Sequence, residues 1–259
     1  MGRWTSRKRL GLGPLHFFTP LAEMVAGCLR PDVSRPGQME RGCVFFLPGI
    51  EGTAWQLRGC VKGLRATGLD RHVEIVQWGR RPFRQLHNLC AINANRLVAK
   101  EIAERIAAYQ AAHPAAPITL IGYSGGGGIA VLVAERLPEQ VMLDRVVLIA
   151  AAVSPRYDLS RVLARCRRGL TNFYSQRDWL VLGAGTSVFG TIDRERTSSA
   201  GRTGFLGADG EVVQTERLAQ IGWRPEWLEL GHVGGHIGWL SSAWAREVLA
   251  RQIDPALNC

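Results

Sequence analysis

The sequence predicts an α/β fold: a mostly parallel central sheet with helices on both faces. Three observations predict it. Short apolar runs alternate with segments of helical spacing from residue 43 onward, the pattern of strand–helix–strand units. Cys43-Val44-Phe45-Phe46-Leu47 is apolar throughout and stops at Pro48-Gly49, as expected of a strand covered on both faces. And 259 residues, 46% of them hydrophobic, supply one core of this kind without requiring a second.

The elements follow in order. After the strand at Cys43–Leu47 and its turn, Trp55–Ala66 has helical spacing, and His72–Trp78 alternates as a second strand. Arg96–Ala112 reads as an amphipathic helix, with Leu97, Ile102, Ile106 and Tyr109 assigned to one face and Lys100, Glu101, Glu104 and Arg105 to another. Pro114 and Pro117 end it. Ile118–Ile121 is the next strand; Ile129–Leu137 is a helix after a glycine-rich turn; Arg145–Ala150 and Leu170–Tyr174 are strands. Asp209-Gly210 marks a hairpin turn, Trp227–Leu230 a last strand, and Ser242–Gln252 the closing helix. Crossovers between such strands are right-handed.

The formal charge is +10 and the isoelectric point about 10.0, carried almost wholly by arginine, with lysine only at Lys8, Lys62 and Lys100. The basic residues are scattered, clustering only at Arg7-Lys8-Arg9, Arg80-Arg81 and Arg165–Arg168. No basic face interleaved with aromatics appears, so a nucleic-acid partner is not expected. Six cysteines (28, 43, 60, 90, 166 and 259) show no CxxC spacing and no histidine pairing, so no metal site is expected, and Cys43 and Cys90 read as buried thiols.

Residues 1–40 stand apart from the domain expected over residues 41–259. Arg3, Arg7, Lys8 and Arg9 precede a mostly apolar stretch that ends in Val25-Ala26-Gly27-Cys28. That order resembles a secretory signal and a bacterial lipobox, implying export or membrane anchoring through a lipidated Cys28. His16, Thr19, Pro20 and Glu23 interrupt the stretch, so an arm packed on a cytoplasmic domain is the alternative. No segment has the roughly 20 apolar residues of a membrane span.

The chemistry centres on Gly122-Tyr123-Ser124-Gly125-Gly126, a G-x-S-x-G run lying between the strand at Ile118–Ile121 and the helix from Ile129. A sharp strand-to-helix turn strains the serine backbone, requires neighbours without side chains, and lifts the hydroxyl to a helix N-terminus where N–H groups favour developing negative charge. A glycine turn that merely packs closely is the bland alternative. Neither a clean G-x-G-x-x-G nor a P-loop lysine is present, and no cofactor is expected.

On these residues the chain resembles the α/β-hydrolase superfamily, in its bacterial serine esterase and lipase-like branches, from about Cys43 to Gln252. The resemblance implies the α/β-hydrolase fold and a nucleophile, acid and base in the order Ser, Asp or Glu, His. It makes Ser124 the nucleophile and Asp178, after the strand Leu170–Tyr174, the acid; Asp193 is the rival, and Asp158 a weaker one. The base falls in Gly231-His232-Val233-Gly234-Gly235-His236. His236, nearer the closing helix, is preferred, with His232 the alternative. His16, His87 and His113 lie elsewhere. The oxyanion hole would use the backbone N–H groups of Gly125 and Ile50, the latter in Pro48-Gly49-Ile50-Glu51-Gly52, where proline stands in place of the family's histidine.

The interval Ala152–Gly169 is short and arginine-rich, too small for a lipase-like lid. The stretch Thr197–Phe205, with Trp179 or Trp223, is expected to wall the site. Together these features imply a serine hydrolase acting on a small or lipid-like carboxylic ester or thioester. An acyltransferase using the same residues, a non-catalytic scaffold on the retained fold, and a peripheral protein whose basic surface holds it to anionic lipid are the alternatives.

Overall fold

The computed structural model describes residues 36–50, 54–78, 92–178 and 198–258. The N-terminal segment with Cys28, and with it Asp193, Trp179, His87, Cys90 and the Glu51-Gly52 pair, lies outside them. Among the described residues, six strands form one all-parallel sheet in the order β2-β1-β3-β4-β5-β6: β1 (Cys43–Leu47), β2 (His72–Ile75), β3 (Ile118–Tyr123), β4 (Arg145–Ile149), β5 (Leu170–Tyr174) and β6 (Leu218–Gly222). Leu47 aligns with Gly122, Tyr123 with Ile149, and Tyr174 with Gly222. The segments leaving β1, β3, β4 and β5 therefore emerge along one edge.

The chain steps outward from β1 to β2 and then returns past β1 to β3. Right-handed crossovers send those two connections over opposite faces. Helix α1 (Arg58–Ala66) packs against the closing helix at residues 242–253, while α2 (Ile92–Ala112) packs on α3 (Gly125–Arg136), which also meets the short α4 (Ser160–Ala164). The closing helix starts at Ser242–Trp244, widens to π geometry over Ala245–Leu249 and ends as α-helix over Ala250–Ile253. Covered on both faces, β1 and β3 are buried along their whole length, which is why their sequences are runs rather than alternations.

Three expectations change. Trp227–Leu230 is not a strand: Pro225–Leu230 is a 3-10 helix with proline in its first turn, where proline's missing N–H costs nothing. The last strand is β6, an edge strand whose centre is the buried Gln220. That side chain accepts from Asn172 Nδ2 and Phe205 N, and donates to the carbonyls of Phe205 and Val213; a polar residue at its core hides the strand from an apolar pattern. In α2 the buried stripe is Val98, Ala99, Ile102, Ala103, Ile106 and Tyr109, and Leu97 is 54% exposed. Five residues before Ile102, Leu97 falls outside the stripe that i, i+3 and i+4 spacing defines.

The amino ends of the strands are tied by charge. Arg71 lies 3.9 Å from Asp144 and 3.8 Å from Asp254, and Arg168 pairs with Asp144. Both arginines donate to the carbonyl of Ile253, placing cations at the C-terminus of the closing helix, where its dipole favours them.

Where α1 meets the closing helix, a Cβ added at Gly63 would stand 2.1 Å from the carbonyl oxygen of Ser242. Alanine gains up to about 1 kcal/mol of helix propensity over glycine, but forcing two backbones apart costs typically 1–3 kcal/mol. Gly63→Ala is expected to lower the unfolding free energy in urea; an unchanged or higher midpoint would contradict this packing.

Candidate active site

The elbow joins β3 to α3 in a single residue. Ser124 has φ 54° and ψ −122°, a region that side-chain-bearing residues rarely occupy and hold only when their surroundings over-determine it. Here they do. Ser124 N–H donates to the Ile149 carbonyl at 2.8 Å, and its own carbonyl accepts from Gly127 at 2.9 Å and Ala152 at 3.0 Å. The glycines make room: a Cβ at Gly126 would lie 2.2 Å from the Pro48 oxygen, and one at Gly122 2.4 Å from the Gly126 oxygen. So α3 begins at Gly125, not Ile129, and four glycines form its first turn despite their poor propensity.

The loop after β1 lies against this turn. The Pro48 carbonyl accepts from Trp78 Nε1 at 2.7 Å, and Gly49 N–H donates to Gln56 Oε1 at 3.1 Å. A Cβ at Gly125 would stand 3.2 Å from the Ile50 nitrogen, so the Ile50 and Gly125 amides are neighbours beside Ser124. Gln56 and Trp78, which the sequence did not single out, fix this loop.

The strand β5 delivers Asp178 and the loop after Pro225–Leu230 delivers His236. His236 Nδ1 donates to Asp178 Oδ2 at 2.6 Å, and Ser124 Oγ donates to His236 Nε2 at 2.9 Å. The carboxylate can only accept, so the ring's proton sits on Nδ1 and Nε2 is left to take the hydroxyl proton. Asp178 and Ser124 are buried. Tyr123, the residue before the serine, donates its hydroxyl to the His236 carbonyl at 3.1 Å, and its ring lies 5.0 Å from the imidazole. Its place inside the G-x-S-x-G run was the only signal of that contact.

Acid loop and base loop are fastened to each other. Ser175 Oγ donates to the Gly234 carbonyl at 2.6 Å, and Arg177 covers the Trp223 ring at 4.2 Å. Trp223 Nε1 donates to the His232 carbonyl at 2.9 Å. Trp223 thus braces the base loop. The stretch Ser198–Phe205 bonds along the end of β4, with Ala200 N–H to Val153 O and Gly201 N–H to Ala151 O; Ser199, Ala200 and Phe205 are buried there. It supports the acid loop, whose Ser175 N–H donates to Gly201 O.

The alternatives fare differently. His232 is fully buried among Trp227, Trp239 and Trp244, away from the Ser124–His236 contact. Burial pushes its imidazole down to about 3. Asp158 is exposed and accepts from Ser160 N–H and Oγ–H at the start of α4, bonds that hold its carboxyl below the usual range.

A metal-ligand trio that sequence spacing did not reveal lies at the opposite edge of the sheet. The pairing of Cys43 with His72 brings Cys43, His72 and Glu74 donor atoms within 4.8 Å of one another. The Arg105 guanidinium sits 2.6 Å from Glu74 Oε1, already placing a cation there. Burial, with Glu74 second, pushes the Cys43 thiol far up. Among the described residues no helix is long and apolar enough to cross a membrane.

Residues 39–189 match the serine aminopeptidase S33 family. The chain belongs to that family. It is an α/β hydrolase by fold and by family, and the matched stretch holds Ser124 and Asp178 but ends before His236. Among solved structures, the RedJ thioesterase of the prodiginine pathway in Streptomyces coelicolor is 14% identical, with 97% of this chain and 98% of that one covered and a TM-score of 0.45. A monoacylglycerol lipase of Paleococcus ferrophilus is 17% identical over 84% of this chain and 94% of that one, also with a TM-score of 0.45. No curated protein matches the chain.

The depressed pKa of His232 has a consequence for stability. An unperturbed histidine titrates near 6.5 and the folded one near 3. Between those values the unfolded chain binds a proton that the native chain refuses, so stability falls as pH drops through the window. His232→Asn removes that term. The wild-type melting temperature is expected to fall more steeply than the variant's between about pH 7 and 4; parallel slopes would refute the assignment.

Proposed function

We propose that the chain is a serine esterase or thioesterase that works through an acyl-enzyme on Ser124. The observation that carries this reading is the continuous relay from Ser124 Oγ to His236 Nε2 at 2.9 Å and from His236 Nδ1 to Asp178 Oδ2 at 2.6 Å, set on a strained elbow.

Ser124 Oγ attacks the substrate carbonyl carbon while His236 Nε2 takes the hydroxyl proton, and Asp178 stabilises the imidazolium and holds its orientation. The carbonyl oxygen becomes an oxyanion, which the N–H groups of Ile50 and Gly125 receive; one such donor is worth about 3–4 kcal/mol of barrier. Collapse of the tetrahedral adduct expels an alcohol or thiol, which leaves with the proton from His236. Water then attacks the ester on Ser124, gives its proton to Nε2, and releases the acid and the free serine. Alkoxide and thiolate are better leaving groups than an amine, which makes an oxygen or sulfur ester the first substrate to test. Membership of the serine aminopeptidase family adds aminoacyl amides as a second.

A fluorophosphonate probe reports an activated serine directly. Wild type is expected to label, Ser124→Ala and His236→Ala not to, and Asp178→Asn to hydrolyse p-nitrophenyl esters on the order of 10^4-fold more slowly. Parallel assays with aminoacyl p-nitroanilides and with an added alcohol distinguish esterase from aminopeptidase and acyltransferase turnover. Folded wild type that neither labels nor hydrolyses any of them would leave a scaffold on a retained fold.

A further inference from the structure

The proposed reaction leaves one buried histidine unused. His232 is stacked on Trp227 at 5.8 Å and 20°, and stands edge-on to Trp239 at 4.1 Å and to Trp244 at 6.0 Å. A Cβ on Gly238 would come 2.2 Å from its Nδ1, so the enclosure is tight on that side too. Inside it Nδ1 accepts the N–H of Gly234 at 3.2 Å, which puts the ring proton on Nε2. That Nε2 has no hydrogen-bond partner among the described residues. An orphaned buried donor costs stability that an apolar ring in the same box would not, so the imidazole does something a phenyl group could not.

What it does is hold Gly234. This glycine, two residues before His236, has φ +94°, a conformation that other residues rarely adopt. Its carbonyl is held by Ser175 Oγ at 2.6 Å, and the Ser175 carbonyl in turn accepts the N–H of Asp178 at 3.0 Å. Gly234 is therefore gripped from two sides, its N–H by His232 and its C=O by the loop that carries the acid.

We propose that His232 is a positioning residue: its Nδ1, acting with Ser175 Oγ, clamps Gly234 and so fixes His236 in line with Asp178 and Ser124. This inference rests on the serine-hydrolase reading above. The clamp does not touch substrate, so it acts on kcat and on the reactivity of the serine, not on KM. A misplacement of about 1 Å at a reacting group can cost on the order of 100-fold.

Two substitutions separate the clamp from simple filling of the box. His232→Phe keeps the ring but has no acceptor. His232→Asn loses ring volume but presents Oδ1 on Cγ, where Nδ1 was. Each variant is compared with wild type and Ser175→Ala by melting temperature, by the rate constant of fluorophosphonate labelling, and by kcat and KM for p-nitrophenyl butyrate. The clamp requires His232→Phe to label and turn over about 10- to 100-fold more slowly with KM unchanged. It requires His232→Asn to stay close to the wild-type rate despite a lower melting temperature, and Ser175→Ala to share the His232→Phe signature. His232→Phe at the wild-type rate, or His232→Asn as slow as His232→Phe, overturns it. Should His232→Phe fail to fold, Ser175→Ala decides: wild-type rates in that variant overturn the clamp. Wild type that fails to label overturns the nucleophile as well, whereas wild type and His232→Phe labelling equally fast overturns the clamp alone.

Discussion

The backbone of Ser124 is the constraint on which the rest depends. A residue with a side chain at positive φ persists only if its neighbours leave it no cheaper arrangement. Here Ile149 holds its N–H, Gly127 and Ala152 hold its carbonyl, and glycines at 122, 125 and 126 let the first turn of α3 close against the β1 loop. The parallel sheet supplies the frame. It brings the ends of β1, β3, β4 and β5 to one edge, so a turn at the end of one strand can be locked by loops leaving the others.

The same logic extends outward. Each functional group is held by a residue whose own position is fixed by packing. Trp78 and Gln56 secure the loop with Ile50; Tyr123 reaches the carbonyl of His236; Ser175 and Arg177 join the acid loop to the base loop. The tryptophan box around His232 anchors this assembly in the core, next to Phe173 of β5. Rigidity at the site is thus borrowed from apolar packing beneath it, which is how a loop can hold a hydrogen bond to the distance that proton transfer needs.

Much of this was legible in the sequence because buried parallel strands leave continuous apolar runs and a one-residue elbow leaves glycines. Ser124, Asp178 and His236, read from order along the chain, are brought together in space. The failures have physical causes. β6 was missed because Gln220 satisfies its polar groups inside the core, and Trp227–Leu230 was misread because apolar residues serve a short helix as well as a strand. The proximity of Cys43 to His72 depends on strand register, which spacing along the chain does not encode. The choice between His232 and His236 needed burial, since both share one glycine-rich motif.

The all-parallel sheet also sets an order of assembly. Every connection between successive strands is a crossover, so sheet formation relies on contacts between distant residues, which fold slowly. Ser124 and His236 are 112 positions apart, and the box that anchors the base loop closes only when Trp239 and Trp244 arrive. A chain emerging residue by residue presents Ser124 well before His236 and the tryptophans that hold its loop. The hydrogen bonds among Ser124, His236 and Asp178 therefore close only when the last layer docks, so assembly of the site follows assembly of the sheet.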